Sequence, residues 1–187
     1  MEDRAAPCGT SGSNVIVEGM TRMTVGTIAF GTLGSMQTLQ KMRSVINQSL
    51  TDPFVIEAAR RLVASLPARD YDAQARAIRG FLTERFQFVR DPRGVEMLAT
   101  PRYLLTQVAR RYMVQGDCDD AAILGGALAK AIGLRVRLIA VGFFRKDAPL
   151  SHVYAIVHGR RWWDLDTTRP ARMLVEPPVT RTLSVEV

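Results

Sequence analysis

The residues best suited to chemistry are a cysteine, a histidine and an aspartate, in that order along the chain. Cys118 opens the segment GDCDDAAILGGALAKAIGL, where Asp117 is a good helix N-cap and Gly116 frees the backbone before it. The unpaired N–H groups and positive dipole of a helix start favour a thiolate over a thiol. The Cys118 amide, with a donor from Gln115 or Tyr112, would form an oxyanion hole. The pattern therefore predicts a cysteine nucleophile for acyl transfer.

A base for this nucleophile is expected in a hairpin further along the chain. His152 begins the predicted strand SHVYAIVH, and the predicted strand RWWDLDTT follows it after Gly159, a candidate turn residue. If the turn centres on Gly159, the antiparallel register places Asp166 opposite His152 and Asp164 opposite Tyr154. Directly opposed Cβ atoms lie about 5 Å apart, so the carboxylate could hold an imidazole N–H. We therefore predict that Asp166 orients His152 and that His152 takes the thiol proton.

Other interpretations of these residues stay open. Cys118 could be a small buried residue at the start of a buried helix. Asp119 and Asp120 would raise the thiol pKa if they faced it, or they are first-turn acids, with Asp120 completing a capping box. A metal site built from Asp117, Asp119, Asp120 and His152 is not favoured, because carboxylates at successive helix positions do not face one point. We expect no metal and no cofactor.

Three segments taken together resemble the transglutaminase-like cysteine peptidase superfamily. They are GDCDDAAILGGALAKAIGL, SHVYAIV and WWDLDTT. The upstream segments FLTERFQFVRDP and TPRYLLTQVARRYMVQGDCDD resemble its phage and prophage branch, so the resemblance covers about residues 50–170. Two positions depart from the family pattern: Thr167 replaces the proline after the catalytic aspartate, and Tyr154 replaces the frequent tryptophan.

The resemblance implies a catalytic triad of Cys118, His152 and Asp166 in a papain-like or transglutaminase-like core. It implies a cysteine peptidase or amidase that hydrolyses peptide or amide bonds of a peptide or protein substrate. We favour hydrolysis over crosslinking, because nothing in the sequence indicates a second substrate domain or a calcium site. The alternative is a non-catalytic structural or interaction component of a phage virion or assembly complex with the same fold.

The secondary-structure signals run from helices to strands. Helices are predicted to begin at Asp52, near Asp72 and at Thr100, and the helix that opens at Cys118 is the fourth of this series. The second of them is predicted to extend to about Phe88. After Gly133 the spacing of apolar residues changes from the 3.6-residue period of a helix to the two-residue period of a strand. This order predicts an α+β domain in which helices, the central one starting at the cysteine, pack on an antiparallel sheet.

The first 50 residues are predicted to form an N-terminal arm. Residues 1–13 have the composition of a mobile tail, and two short strands are predicted in NVIVEG and VGTIAFG. An amphipathic helix follows over residues 35–50, and its apolar face could join the core or dock a partner. The resemblance to the phage branch makes phage structural proteins candidate partners of residues 14–50. Residues 51–187 are predicted to form the catalytic domain.

The composition limits the classes of function. The chain has 187 residues, 47% of them hydrophobic, and a net charge of +7. Its arginines are scattered, without a long basic run, so nucleic acid is not a favoured partner. No signal peptide and no membrane span are predicted, which favours a reducing compartment, and the resemblance implies the bacterial cytoplasm or a phage virion. The two cysteines, Cys8 and Cys118, do not form a disulfide framework, and we expect no disulfide at Cys118.

Overall fold

The computed structural model describes residues 14–18, 23–26, 29, 31–91, 95–168 and 179–187. Its helices are α1 Gly31–Ser49, α2 Pro53–Val63, α3 Tyr71–Arg85, α4 Pro101–Arg111 and α5 Cys118–Ala131. Its strands are β1 Asn14–Glu18, β2 Met23–Gly26, β3 Phe86–Phe88, β4 Val95–Ala99, β5 Val114–Gly116, β6 Arg135–Phe143, β7 His152–His158, β8 Trp162–Asp164 and β9 Val179–Glu186. No helix among the described residues is long and apolar enough to cross a bilayer.

The main sheet is antiparallel and has the strand order β8-β7-β6-β9. A second sheet places β1 between β2, its antiparallel partner, and β4, which is parallel to it. A parallel pair, β3 and β5, forms a third sheet. The predicted α+β class with helices packed on an antiparallel sheet is confirmed.

Local capping signals predicted the helix starts well. The Asp52 side chain accepts a hydrogen bond from the Phe54 N–H at 2.9 Å, and Thr100 caps α4. The cap of α3 is Asp70, slightly before the predicted start. The predicted end of this helix near Phe88 is wrong, because residues 86–88 leave the helix and pair with β5.

Helix α5 is the centre of the core. Nearly all of its residues are buried, and it packs against β7, β6 and the other helices. A Cβ on Gly125 would meet Leu82 and Leu165, and a Cβ on Gly126 would meet the Ile46 side chain. The two glycines therefore let neighbouring elements approach α5 closely.

The apolar face of α1 belongs to the same core. Its residues Leu39, Met42, Val45 and Ile46 are buried, and α1 contacts α5. The predicted tail at residues 1–13 lies outside the described residues. The division of the chain into an arm and a catalytic domain at residue 50 stays a prediction.

The hairpin of β7 and β8 has a different register from the predicted one. Its pairs include Ile156 with Asp164 and His158 with Trp162. The turn therefore spans Gly159 to Arg161, and the Gly159 N–H donates to the Arg161 carbonyl at 2.8 Å. The predicted pairings of Asp166 with His152 and of Asp164 with Tyr154 are wrong, because the turn needs three residues and does not centre on Gly159. Asp166 lies beyond the end of β8.

Candidate functional site

Cys118 is the first residue of α5 and is 1% exposed. It is disulfide-bonded, and the other cysteine of the chain, Cys8, lies outside the described residues. The expectation of no disulfide at Cys118 is therefore wrong, because sequence separation does not limit which cysteines a fold brings together. The sulfur lies 3.7 Å from Asp119 Oδ1. Chemistry at this sulfur requires that the disulfide first be reduced.

Two carboxyl side chains shape the start of α5. The Asp117 side chain accepts from the Asp119 N–H at 3.0 Å, so it is the predicted N-cap. Asp120 Oδ1 accepts from the Ala99 N–H at 2.8 Å, and the Asp117 N–H also donates to Asp120, as a capping box requires. Asp120 thus joins the helix start to β4.

Burial changes the charge of these carboxyl groups. Desolvation, together with the charges of Asp119, Asp120 and Asp91, raises the pKa of Asp117 to about 9. Desolvation is also the main reason why the pKa of Asp120 rises to about 8, although the Ala99 N–H opposes it. Both groups are therefore mostly neutral at pH 7. The start of α5 carries less negative charge than its three aspartates suggest.

His152 and Asp166 lie together in the structure. The His152 Nε2 and Asp166 Oδ2 atoms are 2.7 Å apart, and the side chains are 12% and 1% exposed. Asp166 Oδ1 accepts from both the N–H and the Oγ1 of Thr168, each at 3.1 Å. Thr168 was missed in the sequence, although it follows Asp166 in the motif DTT that suggested the acid. It fixes the carboxylate that holds the imidazole.

The imidazole of His152 is also held by aromatic rings. The ring centroid of Phe143, at the end of β6, lies 6.3 Å from the His152 centroid, and that of Tyr154, two residues along β7, lies 5.8 Å from it. Both contacts are stacked arrangements. Tyr154 therefore packs against the histidine. Because Asp166 contacts Nε2, proton exchange with a thiol would take place at Nδ1.

The topology places the first residues of α5 and β7 at the same end of the helix and sheet layers. A short connection joins α5 to β6, so β6 runs back along α5, and Gly126 lies beside Val136 at its start. Cys118 lies eight residues before Gly126, which is about 12 Å along the helix axis toward its N-terminus. A distance of about 12 Å along β6 from Val136 corresponds to roughly four residues and ends close to Val141. Val141 pairs with His152, so His152 lies toward the same end of α5 as Cys118.

The two predicted oxyanion donors occupy different environments. Gln115 is exposed on β5, and its Nε2 donates to Gln87 Oε1 at 3.1 Å. Tyr112 is 74% exposed at the C-cap of α4, with a φ of 60°. Their role in oxyanion binding stays a prediction.

A cavity of about 480 Å³ opens between α4, β4 and β5. Its lining includes Gln115, Gly116 and Asp120, together with the exposed arginines Arg110 and Arg111. The cavity thus reaches the start of α5 from the side of α4. Cys118 and His152 are not part of its lining.

Within the described part of the chain, one group of side chains could hold a metal ion. Ligand atoms of Asp117, Cys118 and Asp119 all lie within 4.8 Å of one another, and all three residues are buried. This convergence arises because Asp117 is the cap, with extended backbone, and is not itself in the helix. The group could bind a cation only with a reduced, ionised thiol.

Comparisons with known proteins give a likeness in fold. No family model matches the chain, and the search of curated proteins found no match. A crystal structure described as a "putative protease" from Parabacteroides distasonis is similar, with a TM-score of 0.58 and 12% sequence identity. The alignment covers 80% of this chain and 28% of that one, so the chain spans under a third of the similar protein. At this identity the likeness concerns the fold.

Proposed function

We propose that the chain is a thiol-dependent acyl-transfer enzyme of the transglutaminase-like type. In this proposal Cys118 is the nucleophile, His152 is the general base and Asp166 orients the histidine. The observation that carries the proposal is the 2.7 Å contact between His152 Nε2 and Asp166 Oδ2, with the carboxylate held by Thr168. A buried carboxylate that holds an imidazole is the arrangement that acyl-transfer enzymes use.

The position of Cys118 supports its proposed role. It is the first residue of a capped helix, where the helix dipole lowers the pKa of a thiol. Asp117 and Asp120 are mostly neutral at pH 7, so they oppose ionisation of the sulfur less than charged carboxylates would. The likeness in fold to the protein described as a "putative protease" agrees with this chemistry.

The proposed reaction has two steps that follow a reduction. A dithiol reductant first reduces the Cys118 disulfide and is itself oxidised to a disulfide. The Cys118 sulfur then attacks the carbonyl carbon of a peptide or amide as His152 takes the thiol proton. The C–N bond breaks, the amine leaves with that proton, and a thioester remains. Water then attacks the thioester, His152 accepts a proton from the water, and the C–S bond breaks to release the acid and the thiol. We prefer water to an amine as the acceptor, and the substrate is a peptide or protein.

The test is the pH dependence of alkylation of the reduced protein by iodoacetamide. A full-length Cys8→Ser chain makes Cys118 the one thiol that can be labelled. We expect alkylation at pH 6.5 to be at least about tenfold faster than in a His152→Ala chain, because an imidazolium stabilises the thiolate. Asp166→Asn should give an intermediate rate.

His158→Ala is the matched control, because His158 lies on the same strand and makes an edge-to-face contact with Trp162 instead. It should leave the rate unchanged. Equal rates and equal pH profiles for the His152→Ala chain and its parent would refute the proposed pairing of His152 with Cys118. A rate in a Cys118→Ala chain with Cys8 intact that is as fast as that of the parent, and that falls when His152 is also replaced by alanine, would identify Cys8 as the reactive thiol.

A second candidate function is that of a non-catalytic structural module. The disulfide at Cys118 and its 1% exposure favour this alternative, because both block attack by the sulfur. The association with a phage virion, and docking through residues 14–50, rest on the sequence resemblance. Stoichiometric purification with phage particles, and normal assembly of a Cys118→Ala chain, would support the module. The proposed location is correspondingly a bacterial cytoplasm or a virion.

A further inference from the structure

Phe144 has an unusual conformation for an aromatic residue. Its φ is 70°, a region that L-residues with bulky side chains rarely adopt. The side chain is also 70% exposed. Neither feature contributes to the core. An exposed aromatic ring on a strained backbone is therefore a candidate for a functional contact.

The surrounding loop is built to keep this conformation. The Arg145 N–H donates to the Phe143 carbonyl at 2.9 Å, which closes a tight turn with Phe144 at its centre. The Arg145 carbonyl accepts from the Ala148 N–H at 3.0 Å and from Thr180 Oγ1 at 2.5 Å. Hydrogen bonds from within the loop and from β9 thus hold the turn. Strain persists in a fold only where such surroundings enforce it.

Phe144 is connected to the candidate base by a series of rings. Its centroid lies 6.4 Å from that of Phe143, and the Phe143 centroid lies 6.3 Å from that of His152. The series starts at an exposed ring and ends at an imidazole whose side chain is 12% exposed. A substrate whose scissile bond lies beside His152 could extend along these rings.

We infer that Phe144 is a specificity-determining residue that binds an apolar side chain of the peptide substrate next to the bond that is cleaved. This inference rests on the proposed function, because it requires a peptide substrate that binds beside His152. The exposed ring offers apolar area, and burying it under a substrate side chain removes that area from water. The Phe143 ring lies between Phe144 and His152 and would pack against the same substrate side chain.

The experiment compares two chloroacetamides on the reduced, full-length Cys8→Ser chain. One carries a phenethyl group on its nitrogen and the other a hydroxyethyl group. Each rate is divided by the rate of the same reagent with glutathione. We expect the parent chain to prefer the phenethyl reagent by about tenfold, the discrimination that one apolar contact supplies. Phe144→Ala and Phe144→Gly should reduce this preference to near unity, with unchanged alkylation by iodoacetamide.

A glycine at this position separates function from structure. Glycine adopts positive φ freely, so Phe144→Gly should have a melting temperature equal to or above that of the parent. Phe88→Ala is the matched control, because Phe88 is 42% exposed on β3, and it should keep the preference.

Three results would overturn the inference: no phenethyl preference in the parent, an unchanged preference in Phe144→Ala, or a clear loss of stability in Phe144→Gly. Failure of the proposed function is a different result. It would appear as an iodoacetamide rate that does not depend on His152.

Discussion

Replacing Asp120 by asparagine should make the folding stability less dependent on pH. Burial raises the pKa of this carboxyl from 3.8 to about 8 in the folded chain. Between these values the folded chain holds a proton that the unfolded chain has released. The folded state therefore binds more protons, and its stability falls as the pH rises through this window. An asparagine resembles the protonated carboxyl in shape and can still accept the Ala99 N–H.

The size of the effect follows from the linkage relation. One such group lowers the free energy of unfolding by about 1.4 kcal/mol per pH unit within the window. From pH 5 to pH 7 this amounts to about 2.7 kcal/mol, or roughly 5–10 °C in melting temperature for a chain of this size. The free energy of unfolding of Asp120→Asn, relative to that of the parent chain, should therefore rise by this amount from pH 5 to pH 7. Thermal unfolding of both chains, followed by circular dichroism in matched buffers, measures the difference.

The control is Asp147→Asn. Asp147 is exposed, and its hydrogen bond with Arg145 lowers its pKa, so it stays ionised over this pH range in the folded and unfolded chains. The difference in melting temperature between Asp147→Asn and the parent should not change with pH. If the difference between Asp120→Asn and the parent is also the same at pH 5 and pH 7, the buried carboxyl does not hold its proton and the reasoning fails.

Two further variants test the packing and the orientation of the site. Gly116→Ala should lower the free energy of unfolding by about 1–3 kcal/mol, because a Cβ there would overlap the Asp120 carboxyl, and an unchanged denaturant midpoint would contradict this. Thr168→Val removes one hydrogen bond to Asp166 and should slow iodoacetamide alkylation at pH 6.5 about fivefold, the equivalent of about 1 kcal/mol. A rate equal to that of the parent would show that the backbone N–H of residue 168 alone holds the carboxylate.

Helix starts could be predicted because the interactions that define them are local. Asp52, Thr100 and Asp117 each accept a hydrogen bond from an N–H two or three residues later. The alternation of β7 was also predictable, since Val153 is buried while His152 on the opposite face is half-buried. Interactions of this range depend on residue type and spacing, which the sequence contains.

Strand pairing required the folded structure. The parallel pairs of β1 with β4 and of β3 with β5 join segments that are far apart in the sequence, and neither pair was predicted. Strand β9, at the edge of the main sheet, was not predicted either. Which strands meet depends on the packing of the whole chain, and short strands leave a weak signal of their own.

The sequence by itself determined that Cys118 starts a capped helix and that His152 and Asp166 lie on strands or strand ends that meet in a hairpin. An error of two residues in the hairpin register still left both side chains on one face, because side chains alternate with a period of two. Only the tertiary structure decided the 2.7 Å contact of His152 with Asp166, the raised pKa of the aspartates and the disulfide at Cys118. Desolvation and cross-chain contacts depend on what the fold packs around each group, and no local pattern contains that information.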